Sequence, residues 1–188
     1  MADRYHQLLF TTSLLALCWL AMMAVHELGH AIGAVVSGGS VQRVVLHPLA
    51  ISRTDVSPNP RPGFVVWMGP VVGCLIPLAL AALIPIRFAS IRNIAKFFAG
   101  FCLIANGAYI ALGSFDRVGD CEVMLASGAP PWILVMFGAT TVPLGLCVWH
   151  RMGSLGEFLR QPQLVGHRLA NTITVLLVVL LVTELWLY

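Results

Sequence analysis

His26 and His30 stand four residues apart, with Glu27, Leu28 and Gly29 between them. On an α-helix that spacing returns the chain to the same face, about 40° round and one turn along, so both imidazoles can reach one metal ion. Glu27 lies about 100° round from His26, beside such an ion rather than on it. A carboxylate in that place can take a proton from a metal-activated water. The chemistry on offer is metal-assisted hydrolysis with His26 and His30 as ligands and Glu27 as base.

The motif sits inside a long apolar run, Leu8 to Val36. A charged group at the centre of a membrane helix costs roughly 2.5–3.5 kcal/mol on insertion scales, and such groups normally face a polar cavity or one another. Metal ligation offsets that cost. Haem ligation is a poor match, because two histidines one turn apart on one helix cannot take opposite axial positions.

The elements that must carry this motif follow from composition. The chain has 188 residues, 59% hydrophobic and 10% charged, with a mean hydropathy of +0.88. Soluble domains carry about 25% charged residues. The fold class expected is an all-α polytopic membrane protein, read as one membrane-embedded domain over residues 1–188. Five transmembrane helices are expected at about 8–36, 64–86, 94–112, 131–149 and 169–188. The first is read as a retained span rather than a signal peptide, since cleavage after so long a run would discard the histidines. A net charge of +3 spread along the loops, without a basic run, excludes a nucleic-acid partner. Cys18, Cys74, Cys102, Cys121 and Cys147 form no C-x-x-C and lie mostly in apolar spans, so they read as packing residues.

Between the first two spans, Val41 to Val56 is β-prone, with Val41, Val44, Val45, Leu46 and Ile51 among polar residues and Pro48. It reads as a short hairpin-like segment. An unpaired sheet edge cannot face lipid, and an edge beside an active site could hold an extended substrate by backbone pairing. Span 2 carries Gly69-Pro70, Gly73 and Pro77, features that let it pack closely on span 1. Gly29, between the two histidines, lets another helix or a substrate backbone approach. Span 3 carries Asn106, read either as interhelical glue or as a contact to substrate or to a ligand side chain. A short helix, Cys121 to Ala126, is expected next, with Asp120 as its N-cap and Gly128 and Pro130-Pro131 as its stop. A charged loop, His150 to Arg168, precedes span 5, whose Trp186 and Tyr188 suit an interface.

A catalytic zinc site normally has three protein ligands and an open fourth position. The third here must come from Asp116, Asp120, Cys121 or Glu122, or from His47, His150 or His167. The acidic cluster couples carboxylates to the start of a buried helix, and a two-histidine, one-carboxylate set is the economical choice.

His26-Glu27-Leu28-Gly29-His30 in a membrane helix, then Gly38-Gly39, the β-prone segment and Gly69-Pro70, resembles the site-2 protease family of intramembrane zinc metalloproteases. The run from Gly119 to Pro130, a single Asp before a short apolar helix and a Gly-x-Pro break, is similar to a compact bacterial branch of it. The resemblance implies Asp120 as third zinc ligand, with Asp116 as second choice. It further implies a Zn2+ cofactor, a membrane-protein substrate cleaved within the lipid bilayer, and a bacterial inner (cytoplasmic) membrane location. The Leu-Asp-Gly setting usual for the family's aspartate is missing. That departure leaves room for a second class of function, a proteolytically silent metal-binding accessory or assembly subunit. Arg4, Arg87, Arg92, Lys96, Arg151, Arg160 and Arg168 on one side outnumber Arg43, Arg53, Arg61 and Arg117 on the other. That bias favours a cytoplasmic N-terminus, whereas the resemblance implies the reverse.

Overall fold

The computed structural model describes residues 2–48, 52–152 and 167–187. Helix α1 spans Ala2–Val36, and a hairpin of β1 (Val41–Val45) and β2 (Arg53–Val56) follows it. Helix α2 is Pro62–Leu83, and α3, Ala89–Asp116, comes after one 3-10 turn at Ile86–Phe88. The short α4 (Asp120–Ala126), α5 (Pro131–His150) and α6 (His167–Leu187) complete the order. Five of these helices are long and apolar enough to cross a membrane, at Arg4–Val36, Pro62–Leu83, Ile86–Asp116, Pro131–His150 and His167–Trp186. The expected membrane-helix architecture with a small hairpin after the first span is the one observed.

The boundaries differ from expectation where local chemistry overrides hydropathy. α2 stops at Leu83 instead of reaching Ile86, because Ile84 precedes Pro85 and takes an extended conformation, φ −68° and ψ 119°. α1 begins at Ala2, ahead of Leu8, and its 35 residues make a rod roughly 50 Å long. α3 begins at Ala89 rather than Ile94 and continues past Leu112 to Asp116. Gly113, which looks like a break in sequence, is instead buried in the helix against the Cys121 sulfur. The helix ends where Arg117 turns left-handed, its N–H bonded to the Gly113 carbonyl at 2.8 Å. Ile51, Tyr188 and most of the expected loop between His150 and Arg168 lie outside the described residues.

α1 packs on α2 and α6, while α3 packs on α2 and α5. Phe10, Leu14 and Cys18 of α1 bury against Phe97 of α3 and Ala170 and Ile173 of α6. With helices alternating in direction, the C-terminal end of α1, the hairpin, the start of α2, the end of α3 and α4 all gather at one end. There α4 is seated by Cys121 and Met124, both fully buried with Val66, Ile110 and Leu134. In the two-stranded antiparallel sheet Val44 lies opposite Thr54 and Val45 opposite Arg53. Both strands touch α1.

Candidate metal centre

At this end a cavity of about 1170 Å³ opens between the hairpin and the helices. His26, Glu27 and His30 line it, and so do Thr54, Asn106 and Asp120. The helical period does what the spacing implied: the His26 and His30 rings face each other edge-on, 4.7 Å between centroids. A metal-ligating atom of Glu27 lies within 4.8 Å of those of both histidines. All three side chains are buried.

The floor of the site is backbone. A Cβ at Gly29 would strike the Met68 carbonyl of α2, and one at Gly69 would strike both imidazole rings. The two glycines therefore let α1 and α2 close on each other around the rings. Gly73 does not serve span 1 as expected; it makes room for the Asn106 side chain of α3.

Each imidazole has one nitrogen already committed. Asn106 Nδ2 donates to the Cys102 carbonyl at 2.9 Å, which leaves its Oδ1 as acceptor 2.6 Å from His26 Nδ1. The proton on His26 therefore sits at Nδ1. His30 Nδ1 lies 3.0 Å from the Val65 carbonyl and must donate there too. In a neutral imidazole the other nitrogen, Nε2, is then an acceptor. Both Nε2 atoms point at Asp120, His26 at 2.8 Å from Oδ2 and His30 at 3.4 Å from Oδ1. With both imidazoles neutral, lone pairs would converge on lone pairs, so a cation must lie between them, either a metal ion or a proton on an imidazole Nε2.

Ligand atoms about 2.0–2.2 Å from a tetrahedral ion lie roughly 3.3–3.6 Å from one another. The His30 contact falls in that range, and the His26 contact, at 2.8 Å, has the length of a hydrogen bond. Fixing ligand tautomers through Nδ1 partners is what metal-binding histidines require. Burial alone would push the Asp120 carboxyl up, but hydrogen bonds and charge from His26 and His30 outweigh it and hold the group well below the usual carboxylate range.

Helix α4 corrects one expectation. Asp120 is the first helical residue, not the N-cap, and makes no capping bond. Its carboxylate faces the imidazoles instead, and Gly119 occupies the cap with φ +56°. The Asp120 N–H is taken by the Tyr109 hydroxyl at 3.0 Å. A Cβ on Gly119 would collide with that hydroxyl, so the turn tolerates glycine for reasons of both space and φ.

Asp116, Cys121, Glu122, His150 and His167 are not brought to the histidines. Asp116 lies on the cavity wall, exposed at the end of α3, with no bond to His26 or His30 among the described residues. Cys121 is buried with its thiol aimed at the Ile110 carbonyl, 3.4 Å away. Glu122 is exposed on α4, and His150 and His167 stand at the opposite end of the bundle. Thr54, Tyr109 and the Val65 carbonyl were not anticipated. Tyr109 was within reach of a sequence argument, being three residues after Asn106 and so on its face of α3.

A family model described as Peptidase M50B-like matches residues 6–112. The chain belongs to that family. Membership agrees with the site-2 protease resemblance and makes this an integral membrane protein of a protease family. The match covers α1, the hairpin, α2 and most of α3, and ends ahead of Asp120. No curated protein and no solved structure matches the chain.

Proposed function

We propose that the protein is a zinc-dependent intramembrane endopeptidase of a bacterial cytoplasmic membrane, cutting a membrane-spanning segment of another protein. The observation that carries this reading is the convergence of His26 Nε2, His30 Nε2 and the Asp120 carboxylate beside Glu27 in one cavity. His26, His30 and Asp120 would hold the ion. When bound, zinc supplies Lewis acidity that polarises a peptide carbonyl and acidifies water.

The remaining work falls to the protein. Glu27 takes the proton of the water that attacks the carbonyl carbon, then passes it to the leaving nitrogen as the C–N bond breaks. Its carboxylate is positioned for this by the helix that carries both histidines. A peptide bond inside a helix is shielded by its neighbours, so the substrate segment must be unwound. β2 suits that role, since Ser52 to Val56 line the cavity and, in a two-stranded sheet, β2 keeps one edge unpaired by β1. An extended segment laid on that edge gains main-chain hydrogen bonds that replace those lost on unwinding.

The test is cleavage of a model transmembrane substrate in proteoliposomes. Wild type is expected to cleave, and a zinc chelator to stop it. Glu27→Gln should retain zinc and lose roughly a hundredfold to ten-thousandfold in rate. Full activity in that variant, or cleavage indifferent to chelation, overturns the proposal.

A further inference from the structure

Glu27 is 2% exposed, and a carboxylate so buried requires hydrogen-bond donors. Among the described residues its carboxylate receives one from Thr54 of β2, whose Oγ1 lies 2.7 Å from Oε2. The same hydroxyl is 3.3 Å from the Glu27 carbonyl. A threonine hydroxyl has one proton to give, and the shorter contact to the charged oxygen claims it.

This contact joins α1 and β2, two elements that pack on each other. On β2 the side chains alternate in direction. Arg53 and Asp55 fall on one face, where Arg53 Nε pairs with Asp55 Oδ1 at 3.3 Å. Thr54 falls on the other, towards α1. β-branching restricts its χ1, so the hydroxyl is held where the strand puts it. The strand itself does not call for a hydroxyl, since valine fits a pleated surface as well as threonine does. What the Thr54 oxygen does is fix one of the two carboxylate oxygens of Glu27, leaving Oε1 uncommitted by the hairpin.

We infer that Thr54 is a positioning residue for Glu27, holding the carboxylate in the orientation in which its free oxygen meets the attacking water. The inference rests on the proteolytic reading above. It makes the strand that borders the substrate cavity the same strand that aims the base.

The experiment compares wild type, Thr54→Val and Thr54→Ser in the proteoliposome assay, with zinc content and thermal midpoint measured on the same preparations. Losing one charge-assisted hydrogen bond should lower kcat of Thr54→Val about tenfold to a hundredfold. KM, zinc content and midpoint should match wild type, because the valine keeps the strand and no ligand is touched. Thr54→Ser, which restores the hydroxyl, should recover most of kcat. A Thr54→Val kcat equal to wild type overturns the inference while leaving the proteolytic reading intact. Loss of zinc or of thermal midpoint in step with kcat also overturns it, by making Thr54 a structural residue. Wild-type protein that does not cleave brings down both proposals together.

Discussion

Tyr109 and Asp120 are tied by a hydrogen bond that runs from the Asp120 backbone N–H to the phenolic oxygen, 3.0 Å long. The tyrosine ring stands edge-on to His26, 6.0 Å between centroids. One side chain thus touches a histidine on α1 and sets the first residue of α4. The Gly119 turn, with its positive φ, wraps the hydroxyl closely enough to exclude any Cβ. The aspartate is held from its main chain, and its carboxylate is left for the imidazoles.

Tyr109→Phe should therefore loosen Asp120 without touching either histidine. Removal of a group that orients a ligand typically costs tenfold to a hundredfold in metal affinity, and a loss of about that size is expected. Zinc titration against a competing chelator measures it. An affinity equal to wild type would mean that α4 is seated by Cys121 and Met124 alone.

Asp120 and Asp116 are separated by their surroundings rather than by residue type. Asp120→Asn should lower zinc affinity by more than about a hundredfold, beyond what loss of an orienting partner costs. Asp116→Asn should leave zinc stoichiometry unchanged. The sign of any acid effect follows from the depressed Asp120 pKa. Its favourable interactions are in place above the ordinary carboxylate value and fade as pH falls through the lowered one. Lowering the pH from about 7 to about 5 should leave Asp120 ionised, which the carboxylate infrared band of the wild type, compared with Asp120→Asn, reports.

Asn106 holds His26 from behind, through an oxygen oriented by its own bond to Cys102. Asn106→Ala removes the acceptor for His26 Nδ1 and opens a hole beside Gly73. Zinc affinity should drop about tenfold to a hundredfold. Asn106→Asp keeps an acceptor oxygen there and should retain more of the affinity than alanine does. Equal losses in the two variants would assign Asn106 to helix packing instead.

Much of this site was legible because its parts are local. The His26–Glu27–His30 face follows from the 3.6-residue period, and the spans from unbroken apolar runs. The hairpin follows from β-prone residues followed by the turn-forming Ser57 to Gly63. Asp120 stood out as an acid at the head of a short apolar helix, although its expected role as a cap failed. A capping aspartate and a ligating one occupy almost the same sequence position, and only the imidazoles opposite decide between them. Thr54 was not legible at all. Its partner is 27 residues away on another element, and no period or motif connects a hydroxyl in a strand to a carboxylate in a helix. The Val65 carbonyl was hidden for a simpler reason, since every residue has one.

Gly69 places main chain, not a side chain, against both imidazoles. A side chain there could swing to another rotamer and let the rings spread; a helix backbone can yield only if the whole rod moves. The size of ion that the proposed site would accept is thus governed by the separation of two helix axes. The bundle acts as a calliper, with α1 and α2 for its jaws.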